Sequence, residues 1–447
     1  MSIRHFSLVL VFFVTGILAA CGAEEAPPKA APKQPAAAKP AKPAAPAAAA
    51  KPTTPQTLPN GIVLSLAQFV TEKGDDGKDK FVPGPARLEF LYREGGKWKT
   101  SEFEDPESNV FHKAMVYDAG DGPRLLTLGG TRALLKTWEL TDSGLSATVL
   151  WEKDFGGKFS RMRDAEIGDF KGDGTASLAV ATHDQGVVAV VHPTGDGYEV
   201  VKLDQAENIF VHEIEVGDLD GDGVLEIYAT PSEPNRLDGT PQKGEVVRYI
   251  PAKGGDRTVV ADLGERHAKE ILVADVDGDG RDELYVSVEG EIEGKGKAKT
   301  LKTPVDIRRY EADTPPDQGA VIAVIQDSLT RFLTTGDIDG DGKDEMIAAS
   351  FKKGISLLRP GADPNAKWKS SVIERNSSGF EHATILSDLD GDGTVELYVA
   401  SDDHKEVRRY VWNGRRMERE TIYKRPDDRP IFTWNLMPVP MELIPKN

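Results

Sequence analysis

The chain has 447 residues, 39% of them apolar, and its 55 Lys and Arg against 73 Asp and Glu leave a formal charge of −18. So large an excess of acid excludes a nucleic-acid-binding surface, which needs a basic stripe or patch. A single cysteine excludes an intramolecular disulfide framework, so any cross-link in the folded part must come from something other than sulfur.

At the N-terminus Arg4 and His5 precede a 15-residue apolar run, Phe6 to Ala20, too short for a comfortable transmembrane helix and of the length of a signal-peptide core. The run ends in Leu18-Ala19-Ala20-Cys21, which resembles the lipobox of bacterial lipoproteins. That resemblance implies a signal peptide over 1–20 and a lipidated Cys21; an ordinary signal followed by a chance cysteine is the alternative. Residues 21–57 are almost entirely Ala, Pro and Lys after the cysteine, a composition that cannot bury a core and reads as a semi-rigid tether. In polyproline II form, about 35 such residues at about 3.1 Å each reach about 110 Å. The expected location is the bacterial cell envelope, lipid-anchored to a membrane, with the domain 58–447 outside the cytoplasm in the periplasm or at the cell surface.

From residue 58 the pattern is β throughout. Three runs come first: Ile62 to Val70, Arg87 to Tyr92 and Trp98 to Phe103. Then a nine-residue acidic loop recurs. Its full copies are Asp218-Leu-Asp220-Gly-Asp222-Gly-Val-Leu-Glu226, Asp275-Val-Asp277-Gly-Asp279-Gly-Arg-Asp-Glu283, Asp337-Ile-Asp339-Gly-Asp341-Gly-Lys-Asp-Glu345 and Asp388-Leu-Asp390-Gly-Asp392-Gly-Thr-Val-Glu396. Carboxylates at positions 1, 3, 5 and 9, with glycines bending the chain between them, make the hard-oxygen donor set that Ca²⁺ prefers. Two degenerate copies start at Asp118 and Asp169; the second carries Lys171 at position 3, expected to bridge Asp169 and Asp173 in place of a metal. The starts at 118, 169, 218, 275, 337 and 388 are 49 to 62 residues apart, the period of a propeller blade.

An EF-hand would need Glu at position 12 between helices, whereas position 12 is Ala229, Val286, Ala348 and Val399 inside β-branched and aromatic runs. Each unit offers four such runs, for example His212 to Gly217 before a loop, Leu225 to Ala229 after it, then Glu245 to Tyr249 and Thr258 to Asp262. The loops and their strand context, across residues 110–425, resemble the FG-GAP/VCBS repeat family of integrin-like and secreted bacterial β-propellers. The resemblance implies about four structural Ca²⁺ held by the sixteen carboxylates above, with backbone carbonyls at Val224, Arg281, Lys343 and Thr394. The expected fold is all-β, a propeller of seven four-stranded blades, six or eight being the alternatives. In the seventh, the apolar tail Ile431 to Met437 supplies the inner strand and the three N-terminal runs the outer ones, so that the ring closes without exposed edges.

One register bears on function. Six residues before each loop start stand His112, Arg163, His212, Lys269, Arg331 and His382, and His267 lies on the same strand face two residues before Lys269. Three readings are open: these groups bond neighbouring blades, they line a channel mouth that takes an anionic ligand, or His112, His212, His267 and His382 hold a transition metal. The favoured function is a membrane-tethered binding or scaffold module for a protein or glycan ligand. The alternative is a propeller enzyme, polysaccharide-lyase-like or His-ligated, working at the central channel. No nucleophile elbow, P-loop or zincin motif is present in the sequence.

Overall fold

A computed structural model describes residues 57–446 apart from 75–76, 131, 157–159, 295–297 and 427–429, all within the compact unit Lys51–Asn447. The signal-like segment, the tether before residue 57 and Cys21 lie outside the described residues. The domain is a seven-bladed β-propeller. Its inner strands are Phe111–Tyr117, Met162–Gly168, Ile214–Gly217, Ala268–Ala274, Thr330–Gly336, Thr384–Ser387 and Ile431–Pro440, which open blades 1 to 7. Each inner strand contacts the next around the axis, and that of blade 7 returns to that of blade 1.

Closure follows the expected plan. Ile431–Pro440 pairs antiparallel with Asn60–Lys73, which pairs with Ala86–Glu94 and that in turn with Lys97–Asp105. The two chain ends therefore build one blade. The seam with blade 6 is pinned by the buried Arg425, which donates to Glu89 (3.1 Å), Asp402 (2.7 Å) and the Thr433 hydroxyl (2.8 Å). Residues 402–404 form a short 3-10 turn whose Asp402 also accepts the Thr433 backbone N–H.

The core is distributed over seven apolar clusters, one between each pair of adjacent blades. Second strands such as Glu283–Val288, Glu345–Ser350 and Glu396–Ser401 are buried along their whole length, which explains their continuous apolar runs. Outermost strands such as Gly197–Asp204 and Lys369–Glu374 are largely exposed. Position 8 of the loops in blades 3, 4 and 6 lies against the glycine just before the preceding loop. A Cβ on Gly168 would meet Leu225 at 2.9 Å, and one on Gly217 would meet Asp282 at 2.8 Å, so those glycines set the spacing between blades. Two hairpins leave the plan: Asp79–Pro83 extends the far end of Asn60–Lys73, and Glu291–Glu293 pairs with Thr300–Thr303 beside blade 4.

Candidate functional site

Each acidic loop joins the inner strand of its blade to the second strand. In the four full copies the position-1 aspartate accepts the backbone N–H of the position-6 glycine: Gly223 to Asp218 (2.7 Å), Gly280 to Asp275 (2.9 Å), Gly342 to Asp337 (2.8 Å) and Gly393 to Asp388 (2.8 Å). Both glycines of every full loop have φ between 70° and 90°, a left-handed turn that a side chain would strain. The position-5 aspartate then accepts the N–H of position 7, at 2.9 Å from Val224, 3.0 Å from Arg281 and Lys343, and 2.8 Å from Thr394. Those bonds gather the remaining oxygens. One oxygen each from Asp218, Asp220 and Asp222, from Asp275, Asp277, Asp279 and Glu283, from Asp337, Asp339 and Glu345, and from Asp388, Asp390 and Asp392 lies within 4.8 Å of the others. Asp339 Oδ1 is buried without a hydrogen-bond partner. An all-oxygen, multiply anionic donor set with such an open acceptor fits a hard cation of the calcium type.

The position-9 glutamates are buried and held from behind. The hydroxyls of Tyr285 and Tyr398 donate to Glu283 (2.8 Å) and Glu396 (2.9 Å), and that of Tyr228 donates to Glu226. Burial pushes the Glu283 carboxyl up to about 7. In blades 3 and 6, Glu226 and Glu396 do not join the group of converging oxygens, unlike Glu283 and Glu345. The degenerate loop of blade 2 corrects one expectation. Lys171 does not bridge Asp169 and Asp173; its ammonium lies 3.5 Å from Glu199, while the Asp169 carboxylate is filled by the backbone N–H groups of residues 171 to 174. The loop holds its shape through the backbone, so the lysine is left to point outward.

The residues six before each loop stand at the opposite end of the inner strands and are bound to neighbouring blades. His112 Nδ1 meets the Met162 carbonyl (2.5 Å), Arg163 Nε donates to His212 Nδ1 (3.2 Å) and to its carbonyl (3.1 Å), and His382 Nδ1 meets the Ser350 carbonyl (2.7 Å). Arg331 pairs with Glu381 (2.9 Å) and Glu289 (3.4 Å), and Lys269 with Glu233 (2.6 Å). Burial holds His112 and His212 well below the ordinary imidazole range and His382 down to about 4, so all three are neutral near pH 7. The void they leave on the axis is about 20 Å³, lined by His112, Arg163, Lys269 and Arg331 together with Asp164, Glu213, Glu381 and Trp434 among others. That is room for about one water. Of the three readings, the geometry supports bonding between blades.

Nor are His112, His267 and His382 brought to His212. Its neighbour is His183, in the turn that follows the second strand of blade 2, a residue outside the repeating register. The two Nε2 atoms are 3.2 Å apart, His212 Nε2 is 2.9 Å from Glu233, and His183 Nδ1 is 2.7 Å from Asp184. Arg163 donating to His212 Nδ1 fixes the proton on Nε2, from which it serves Glu233 and His183; His183 in turn donates from Nδ1 to Asp184. Every nitrogen is used, and Arg161, Arg163 and Lys269 add positive charge around the pair. The cluster is a closed hydrogen-bond chain, poorly suited to a cation.

Deeper on the axis, inner strands of blades 1 to 4 converge on an acidic group. Lys113 Nζ lies 3.0 Å from Asp164 and also bonds Glu166, with Glu213, Glu215 and Glu270 around them. The acidic alternation Asp164-Ala-Glu166 and Glu213-Ile-Glu215 in otherwise buried strands was the available signal.

A third region lies where the inner strands begin, opposite the acidic loops. There a pocket of about 280 Å³ is walled by Phe69, Phe380, Phe432, Trp434 and Val110, with Arg161 on its rim. Phe351, Phe380, Phe432 and Phe69 form a row of edge-on rings, 6.2, 6.1 and 5.9 Å apart in turn, across blades 5 to 7. Arg331 sits over Phe380 (4.5 Å) and Arg163 over Trp434 (5.0 Å). Phe380 and Phe432 remain 38% and 37% exposed, large apolar surface left to solvent beside a cavity.

No family model and no curated protein sequence matches the chain. Solved structures do. A Bacteroides uniformis ATCC 8492 protein described as a candidate 6-phosphogluconolactonase aligns with a TM-score of 0.50 at 11% identity, over 85% of this chain and 99% of that one. A counterpart from Bacteroides fragilis NCTC 9343 aligns with a TM-score of 0.48 at 13% identity, over 84% and 98%. A nidogen/laminin complex aligns with a TM-score of 0.39 at 12% identity, over 71% and 98%. At such identities the likeness bears on the fold alone, and the first of these agrees with the propeller assignment.

Proposed function

We propose that this protein is a calcium-stabilised propeller of the FG-GAP/VCBS type, lipid-anchored at Cys21 and carried on the 21–57 tether, that binds a protein ligand at the aromatic pocket. The observation that carries the reading is the pocket itself: a preformed, aromatic-walled cavity at the open end of the ring, with exposed phenyl rings beside it. Rings set edge-on to one another with few polar neighbours favour an apolar side chain of a protein over a sugar, which would want a flat aromatic face flanked by hydrogen-bonding groups. The enzyme alternative draws no support from His112, His183, His212 and His382, which are bonded to neighbouring residues; His267 Nδ1 is buried without a partner but stands apart from the other candidate ligands.

The test is a titration of peptides carrying an aromatic or branched apolar anchor, and in parallel of acidic oligosaccharides, followed by tryptophan fluorescence, Trp434 being in the wall. Peptide binding that is lost in Phe432→Asp supports the proposal. Binding of oligosaccharides alone moves the ligand class to glycans, and response to neither removes the pocket as a ligand site.

The calcium part is tested separately. Ca²⁺ at a fivefold excess over its Kd contributes about 1 kcal/mol per site, or about 4 kcal/mol for four sites. Chelation is therefore expected to lower Tm by several degrees, and added Ca²⁺, but not Mg²⁺ at equal concentration, to restore it. A melt that EDTA leaves unchanged would refute it.

A further inference from the structure

Each full loop is faced by one arginine from the third strand of its own blade. Arg248 pairs with Glu226 (2.9 Å), and Arg309 with Glu283 (2.9 Å) and Asp277 (2.7 Å). Arg359 pairs with Glu345 (3.0 Å) and Asp339 (2.7 Å), and Arg409 with Glu396 (2.5 Å). The two degenerate blades lack this arginine. In blade 2 position 9 is Ser177, and the third-strand side chain that reaches it is His192, at 2.8 Å. The third strand of blade 1, Leu134–Thr141, contains no arginine. Within one chain, then, the guanidinium accompanies the complete carboxylate set and disappears with it.

In blade 5 the pair leaves one carboxylate oxygen open, while in blade 4 the glutamate is held on both oxygens. Asp339 gives Oδ2 to Arg359 and keeps Oδ1 unpartnered; Glu283 gives Oε1 to Arg309 and Oε2 to Tyr285. Four carboxylates crowded into nine residues repel one another, and a fixed cation behind them relieves that repulsion while no metal is bound. The same charge opposes a divalent cation arriving on the open side.

We infer that Arg248, Arg309, Arg359 and Arg409 are built-in counter-ions that keep the loops folded without metal and set their calcium affinity low, toward the range of extracellular calcium modules. This rests on the calcium reading above. It also gives the position-9 glutamates a second role, as struts tying the loop to the third strand.

The experiment is calorimetric Ca²⁺ titration of the purified, EDTA-stripped protein, with thermal melts in EDTA. Arg359→Gln is the first variant because that side chain is 27% exposed and its loss disturbs the core least. The expected result has two opposite signs: about tenfold tighter Ca²⁺ binding at one of the four sites, and a lower Tm in EDTA. Arg359→Lys, which keeps the charge, is expected to bind like the parent. Arg248→Gln, 22% exposed, repeats the test in another blade and serves if Arg359→Gln does not fold. Tightening in either Gln variant supports the inference. Unchanged or weaker binding in the folded variants overturns it and leaves the arginines as ordinary structural or ligand-orienting partners. A parent protein that takes up no Ca²⁺ at millimolar concentration overturns the calcium reading, and this inference with it.

Discussion

Removal of residues 431–447 is expected to abolish cooperative folding. The tail is the inner strand of blade 7, paired with Asn60–Lys73 along its length, and it faces both blade 6 and blade 1. Leu436, Val439, Leu443 and Ile444 are all buried. At about 1.5–3 kcal/mol each, their loss removes about 6–12 kcal/mol, against a typical domain margin of about 5–15 kcal/mol. The loss also opens the edge of Asn60–Lys73 and strips Arg425 of Thr433, leaving a buried guanidinium partly unpaired. By contrast, deleting the Glu291–Thr303 hairpin, whose described side chains are mostly exposed, is expected to change stability by less than about 1 kcal/mol. Urea denaturation by circular dichroism reads both. A tail-less protein that unfolds at the parent's midpoint would show that the ring does not depend on this strand.

That closure was legible in the sequence because propellers repeat. Once six units had been counted from the acidic loops, three unmatched β runs at one end and one at the other had a single economical use. The loops were legible for the same reason: a short local pattern of Asp and Gly contains its own geometry. What was not legible is what depends on distant pairing. Ala67 and Phe432 share a pocket only because the chain ends meet in one blade. The ring of His112, Arg163, His212, Lys269, Arg331 and His382 was visible as a register. Its partners Glu233 and Glu289, which decide that it is neutralised, sit in or beside loops whose course no periodicity fixes. His183 was passed over because a turn of the form Thr-His-Asp-Gln-Gly reads as solvent-facing; in the fold it is roofed by Phe210 at 4.7 Å and lies against His212. The arginines facing the loops were in view in the third-strand pattern. Only the strand register, which places Arg309 opposite Tyr285, shows that they address the carboxylates of the acidic loops.

Replacing Lys113 by Met is expected to cost about 5 kcal/mol at pH 8, and less as the pH falls. Lys113 is buried among Asp164, Glu166, Glu213, Glu215 and Glu270. Burial alone would lower its pKa, but Asp164 and the glutamates outweigh it and hold the ammonium well above its usual range. Burial and mutual repulsion push the carboxyls of Glu213, Glu215 and Glu270 well above 4.5. The sign follows from the direction of those shifts. A carboxyl whose folded pKa is raised binds its proton in the folded state at a pH where the unfolded chain has released it. Such a group therefore disfavours folding above its folded pKa, and that penalty fades as the pH falls toward the unfolded value near 4.5. Without the lysine the same carboxyls face one another uncompensated, their folded pKa values rise further, and the penalty at pH 8 grows. The variant should thus lie furthest below the parent in alkaline buffer and approach it as the pH falls toward the unfolded carboxyl value near 4.5, where protons take over the lysine's role. Methionine keeps most of the side-chain volume, so a packing defect alone would lower stability by the same amount at every pH. Parallel urea titrations of parent and variant from pH 5 to 8 separate the two. A constant gap would mean that the axis is held by packing, and a gap that closes on acidification that Lys113 is the charge on which the acidic centre of the ring is assembled.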